Sequence, residues 1–317
     1  MRIGIDIMGG DYAPEATIIG AILAQKELCG DVKLVLIGDK DIINKVLNRE
    51  KIDSSLFDIV HTTEVIGMGD HPAKAFSANP DSSIVKGFKL LLHGEIDGFT
   101  SAGNTGAMLI GAMFTIKSIP GIIRPCIAAS LPNHEGKYSI ILDVGLNPDA
   151  RPDVLYQYGI LGSIYAEHVY GIKNPRIGLL NIGSEEEKGN LITKSTYQSM
   201  NGSGDFNFVG NVEGNDLFSD KKADVIVCDG FIGNVVIKEA EAFYSLLKKR
   251  NIKDEFFERF NFENIGGTPI LGIKSNVVIG HGISGSTALK AMIIHTKEII
   301  EAKLSEKFIK AFKKWQN

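Results

Sequence analysis

Asp97-Gly98-Phe99-Thr100-Ser101-Ala102-Gly103-Asn104-Thr105-Gly106-Ala107-Met108-Leu109-Ile110-Gly111-Ala112-Met113-Phe114-Thr115-Ile116-Lys117 is the stretch on which the fold turns. A short apolar lead ends in hydroxyl, amide and glycine residues, then becomes an apolar run with helical character. Strand, polar loop, helix is the half-unit of an α/β fold. Small residues at a helix entrance leave backbone N–H groups uncovered, and such groups grip anions without help from a metal. A plain helix entrance without a ligand is the alternative reading, and the stretch alone does not separate the two.

Working outward, the same alternation recurs. Ile3–Ile7, Val32–Ile37, Asp58–His61, Gly98–Thr100, Cys126–Leu131, Tyr138–Asp143, Arg176–Leu180, Asn207–Val209 and Ala223–Cys228 read as buried strands. Ala13–Leu28, Lys40–Asn48, Ser82–His93, Thr105–Ser118, Pro152–Tyr170, Gly189–Ser199 and Ile232–Lys248 read as helices. Such alternation implies right-handed βαβ units and a mostly parallel mixed sheet covered on both faces, an α/β/α arrangement of three layers. Residues 1–317 are expected to form a single α/β domain. Within it, residues 238–262 form a short helical excursion, where Lys248, Lys249, Arg250 and Lys253 sit among Phe256, Phe257, Phe260 and Phe262. The tail Ala288–Trp315 reads as an amphipathic helix interrupted near Leu304–Ser305.

Bulk properties exclude several functions. With 317 residues, 44% hydrophobic and 23% charged, the chain has the composition of an ordinary globular protein. A net charge of -4 argues against nucleic acid as a partner. Three scattered cysteines, Cys29, Cys126 and Cys228, suit a reducing compartment, and Cys228 reads as a buried structural thiol. The chain starts directly on a strand, and its longest apolar run is too short to span a bilayer. A cytoplasmic protein, touching a membrane at most peripherally, is expected.

Six glycine-bearing loops follow strands, the edge where open α/β sheets bind ligands. Asp6–Pro14 offers Asp11 as helix cap or ligand, and Ser101–Gly106 offers the anion-binding entrance. Leu142–Pro148 offers Asp143, in which a structural role is favoured. Leu180–Asn190 carries three carboxylates and Lys188 between Gly183 and Gly189, so the lysine can turn to the sheet edge or form part of a solvated turn. Val227–Val235 delivers Asp229 and then Gly233 and Asn234; Ile279–Thr287 places His281 between two glycines, a setting that suits a catalytic residue closely approached by substrate. No zinc spacing, HExxH helix, Gly-x-Ser-x-Gly elbow, Walker A sequence or Gly-x-Gly-x-x-Gly fingerprint occurs.

Together with Thr63–Ile66, Asp81–Ser83 and Gly266-Gly267-Thr268-Pro269-Ile270-Leu271-Gly272, these loops resemble, in order and along essentially the whole chain, the bacterial phosphate acyltransferase (PlsX) family. The resemblance implies a fold similar to phosphotransacetylase and the isocitrate and isopropylmalate dehydrogenases. It implies conversion of acyl-(acyl carrier protein) and inorganic phosphate to acyl phosphate for phospholipid synthesis, in a homodimer. Three stretches depart from the family pattern. Lys74–Pro80 is less basic, no acidic residue follows His281-Gly282-Ile283-Ser284, and Leu246–Phe262 is shorter than the helical hairpin linked to dimer and membrane contact.

Elementary chemistry agrees with that activity. Phosphate, with a second pKa near ~6, is already a nucleophilic dianion at neutral pH. A thiol of pKa about 8.5 leaves without a strong acid. Neither a covalent nucleophile nor a metal is required, and no cofactor is expected; the protein has to hold an anion against a thioester and stabilise an oxyanion. Lys188, Asn234 and His281 are the catalytic candidates. Asp11, Ser101, Gly103, Asn104, Thr105, Gly106, Asp143, Asn181, Gly183, Asp229, Gly233 and Gly282 are the substrate-binding candidates, with Asn104 and backbone N–H groups holding substrate. Two rival readings are a phosphotransacetylase-like enzyme using acyl-CoA and a non-catalytic module that binds acyl carrier protein.

Overall fold

The computed structural model describes residues 1–28, 30–219, 221–261, 263 and 265–315; Cys29 and Phe262, singled out above, lie outside the described residues. In chain order the first elements are β1 (Arg2–Asp6), α1 (Glu15–Glu27), β2 (Lys33–Gly38), α2 (Lys40–Arg49), β3 (Asp58–His61), α3 (Pro72–Ala78), α4 (Ser83–Leu92), β4 (Gly98–Ser101) and α5 (Thr105–Ile110). A π-helical segment, Gly111–Ile116, continues α5 directly. Next come β5 (Cys126–Pro132), β6 (Tyr138–Leu142), α6 (Pro152–Val169), β7 (Arg176–Leu180), α7 (Leu191–Met200), β8 (Asn207–Val212), β9 (Val225–Val227) and α8 (Gly230–Lys249). The chain then adds α9 (Glu255–Glu258), β10 (Thr268–Leu271), β11 (Asn276–Ile279), α10 (Ser286–Glu301) and α11 (Leu304–Phe312).

These elements gather into two compact units: Met1–Lys117 with Phe262–Glu301, and Ser118–Asn261 with Ala302–Asn317. Strands in the first run in the order β3-β2-β1-β4-β11-β10, parallel except for the β10–β11 pair. In the second they run β5-β6-β9-β7-β8, parallel except for β5–β6. The predicted class, α/β/α layers about mostly parallel mixed sheets, is therefore the architecture found.

Both faces of the first sheet are covered because neighbouring positions on β4 admit different helices. A Cβ at Gly98 would lie 2.8 Å from Ile300 and 3.0 Å from Thr296 of α10, whereas the next residue, Phe99, lies against Gly87 of α4. Successive strand residues face opposite sides, so α10 and α4 pack on opposite faces. Gly20 lets α1 close on α10, where a Cβ would stand 2.6 Å from that of Leu289. The core between them is Ile3, Ile5, Ile18, Leu34, Leu36 and Ile293, all essentially inaccessible. In the second unit Gly162 of α6 presses on Val225 and Leu142 in the same way.

Two expectations shift. The helix read from Ala13 begins at Glu15, with Pro14 rather than Asp11 at its cap position. Asp11 instead donates its backbone N–H to the Gly282 carbonyl at 2.7 Å. The tail does break, at Lys303, whose φ of 51° ends α10 before α11. Among the described residues no helix is long and apolar enough to cross a membrane.

Arg176 and Asp224 clamp the entrances of β7 and β9. The Arg176 backbone N–H and Nε donate to Oδ2 at 2.8 and 3.0 Å, and a second guanidinium nitrogen donates to Oδ1 at 2.9 Å. Burial alone would push the Asp224 carboxyl up, but these bonds outweigh it and hold the group below its ordinary value. Its stabilisation is thus complete above about pH 4 and fades as pH falls through the lower folded-state value. Asp224→Asn is expected to cost about 1 kcal/mol near neutral pH and to flatten the acid limb of the stability curve. Urea denaturation from pH 2 to 7 checks this; curves of unchanged shape would contradict it.

Candidate active site

β1, β4 and β11 run parallel within the first unit, so the loops that follow them leave from one sheet edge. Asp6 ends β1 and is only 1% exposed. Ser101 donates its hydroxyl to Asp6 Oδ2 at 2.6 Å, and the Met8 N–H donates to Oδ1 at 3.0 Å. Burial pushes this carboxyl up, while hydrogen bonds from Ser101, Ser83, Met8 and Gly9 work against the rise. The Gly103 N–H in turn donates to Ser101 Oγ at 2.9 Å. Gly9 and Gly103 touch so closely that a Cβ on Gly9 would lie 2.7 Å from the Gly103 nitrogen. Gly280 N–H donates to the Ser101 carbonyl at 2.9 Å, which joins the third loop to the other two.

This network gives several predicted ligand groups a different occupation. Asn104 caps α5 by accepting from the Ala107 N–H at 3.0 Å, and its Nδ2 donates to the carbonyls of Gly67 and Asp70, both at 3.0 Å. Its side chain therefore organises the 67–70 segment, and the Ser101 hydroxyl and Gly103 N–H are likewise engaged within the fold. Of the first four N–H groups of this helix, Ala107 and Met108 are satisfied by Asn104. Thr105 and Gly106 supply the other two, which have no partner in the helix itself. Half-buried His281 and Gly282 lie on the third loop, where the Gly282 carbonyl accepts from the Asp11 N–H.

In the second unit β6, β9 and β7 are adjacent and parallel, so their terminal loops also share an edge. Asp143, following β6, is fully buried and accepts four hydrogen bonds: from the N–H groups of Ile127, Leu146 and Asn147 at 3.0, 3.2 and 2.6 Å, and from Asn147 Nδ2 at 3.0 Å. The structural role favoured for it is the one these bonds describe. Asp229 caps α8 through the Ile232 N–H at 2.8 Å. Asn234 donates to the Val144 carbonyl at 3.3 Å, so α8 and the Asp143 loop are joined near Gly233. Cys228 is buried, and desolvation lifts its thiol well above the ordinary value, which suits a structural residue and not a nucleophile.

At the end of β7, Asn181 Nδ2 donates to the Lys188 carbonyl at 3.2 Å and to Asn211 Oδ1 at 3.1 Å. Gly183 makes room for the lysine stem, since a Cβ there would sit 2.6 Å from Lys188 Cγ. Lys188 is exposed. The structure thus brings together Asp11, Ser101–Gly106 and Gly282 in one unit. In the other it joins Asp143, Gly233 and Asn234, and separately Asn181, Gly183 and Lys188. The sequence reading missed Asp6, Asn147 and Asn211. Asp6 is signalled only as the one charge in the Ile3–Ile7 run, and Asn211 only as an amide just beyond the Asn207–Val209 run.

A family model described as Fatty acid synthesis protein matches residues 1–307. The phosphate acyltransferase of Dictyoglomus turgidum is 40% identical over 333 residues, covering 99% of this chain and 98% of that protein. The chain belongs to the phosphate acyltransferase family. The phosphate acyltransferases of Halothermothrix orenii and Leptospira biflexa are 40% and 37% identical, covering 95% and 97% of this chain and 95% of each relative. Membership in this family makes the chain an acyl-transferring enzyme, which sets aside the non-catalytic reading. The fold is also that of a phosphotransacetylase from Streptococcus pyogenes, with TM-score 0.66, 15% identity and 94% of each chain covered. EutD phosphotransacetylase from Staphylococcus aureus gives a TM-score of 0.64 at 14% identity, over 95% of this chain and 94% of that one. At such identities the likeness concerns the fold alone.

Gly233 tests how tightly the Asp143 loop is built, because a Cβ there would collide with the Asp143 carbonyl oxygen. Gly233→Ala is expected to cost about 1–3 kcal/mol in urea unfolding. Gly204→Ala, where nothing lies within 4 Å, is expected to stay within about 0.5 kcal/mol of the parent. Equal stabilities for the two variants would contradict this packing.

Proposed function

We propose that this enzyme transfers the acyl group of acyl-(acyl carrier protein) to inorganic phosphate, releasing acyl phosphate and free carrier protein for phospholipid synthesis. The observation that supports it most is the division of labour at the strand ends. Buried polar groups there hold the loops, while the Thr105 and Gly106 N–H groups and the ammonium group of exposed Lys188 take no part in those networks. In this reading phosphate sits against Thr105 and Gly106, and one of its oxygens attacks the thioester carbonyl carbon. The carbonyl oxygen becomes an oxyanion, which Lys188 and Asn234 stabilise. Collapse then breaks the C–S bond, and the departing thiolate takes a proton from His281.

Carrier protein is the preferred acyl donor, for which Lys248, Lys249, Arg250 and Lys253 offer an acidic partner a cationic surface. The enzyme is a homodimer in the cytoplasm, with peripheral contact at the inner face of the membrane. Exposed Phe231, Ile232, Val235, Phe243 and Leu246 give α8 an apolar face suited to self-association, to be checked by sedimentation velocity.

The decisive assay supplies acyl-(acyl carrier protein) or acyl-CoA with phosphate and traps acyl phosphate with hydroxylamine. Phosphate-dependent product is expected from both if the carrier is read loosely, with carrier protein giving the higher kcat/KM. A preference for CoA would replace this proposal with the phosphotransacetylase-like reading. Lys188→Ala and His281→Ala are each expected to lower kcat at least roughly tenfold; parental rates in both would remove these residues from the mechanism.

A further inference from the structure

Lys188 stands on a loop whose shape is set from a neighbouring strand. β7 and β8 pair Ile177 with Phe208 and Leu179 with Asn211, so β8 carries one extra residue across this interval. Gly210 absorbs it with φ of 91°, a backbone conformation that suits glycine. Such a bulge re-aims the side chain that follows it. That side chain is Asn211, only 2% exposed and aimed into the Lys188 loop. Its Nδ2 donates to the Glu185 carbonyl at 2.8 Å, and its Oδ1 accepts from Asn181 Nδ2 at 3.1 Å. Asn181 reaches on to the Lys188 carbonyl, and the Lys188 N–H closes a turn on the Glu185 carbonyl at 3.2 Å.

We propose that Asn211 is a positioning residue for Lys188, fixing both ends of the 185–188 turn so that the ammonium group is presented in one place. One buried amide holds the Glu185 end directly and the Lys188 end through Asn181. Long lysine side chains lose considerable rotamer freedom when ordered, and a fixed turn lowers the part of that cost borne during the reaction. The side chain nowhere needs to touch substrate; it acts through the lysine.

This inference rests on Lys188 being the cationic group of the acyl transfer. Its test is a double-mutant cycle on the full-length enzyme, with phosphate and acyl-(acyl carrier protein) as probes. Asn211→Ala is expected to lower kcat about fivefold or more, with KM for both substrates within about twofold of the parent. In the Lys188→Ala background the same substitution is expected to change kcat less than about twofold, because the group it positions is gone. Asn211→Asp has nearly the same shape and guards against a variant that fails to fold. It replaces the donor to Glu185 with an acceptor and should show the same loss of kcat at temperatures well below its melting point. If Lys188→Ala is impaired while the Asn211 variants turn over normally, or if their losses multiply with that of Lys188→Ala, the positioning role is wrong. If Lys188→Ala itself is fully active, the reading of Lys188 falls first, and this inference falls with it.

Discussion

A parallel strand that ends beneath a loop leaves backbone N–H groups turning over the sheet edge, and buried donors need acceptors. In both units of this protein an aspartate at or just beyond a strand end meets that need. Asp143 collects three backbone N–H groups and one side-chain amide. Asp6 takes the Ser101 hydroxyl and the Met8 N–H. Each carboxylate fixes its own loop, and Asp6 holds that of a neighbouring parallel strand as well. The glycines follow from this. Gly9, Gly103 and Gly233 are the places where loops drawn onto these carboxylates run against one another too closely for a side chain.

Much of the fold was legible from β-branched runs separated by polar loops. β3 and β7 have the limits expected from the sequence, because each is a short run with β-branched or aliphatic residues at its centre; β7 is buried there, whereas β3 is only half-buried. β10 was not among the expected strands, since Pro269 and the surrounding glycines carry no strand pattern; pairing with β11, Thr268 opposite Ile279, makes it a strand. α3 is short and begins at Pro72 after a loop tied down by Asn104, a long-range contact that no local pattern announces. Sequence periodicity reports local burial, while these elements depend on partners far along the chain.

The candidate site was legible in location more than in role. Ser101, Gly103 and Asn104 stand out in the sequence as polar and small, the attributes of a ligand loop. Their hydroxyl, N–H and amide groups hold the loop together, which moves the proposed phosphate contacts to Thr105 and Gly106. Asp11 looked like a helix cap, yet the helix begins after Pro14 and Asp11 bonds to the loop that carries His281. Asn211 could not be placed at all without the bulge at Gly210, because a one-residue slip in a strand exchanges the faces its side chains occupy. The residues that shape a strand-end site and those that touch its ligand are drawn from the same polar alphabet, and only geometry separates them.

With loops held rigidly and the Cys228 thiol buried, the account requires phosphate and thioester to react directly, with no acyl group passing through the protein. Exchange of isotopically labelled free carrier protein into acyl-(acyl carrier protein) measures this. Without phosphate the account predicts no exchange, and with phosphate it predicts exchange through reversible formation of acyl phosphate. Exchange at a comparable rate in the complete absence of phosphate would reveal an acyl-enzyme and contradict direct transfer.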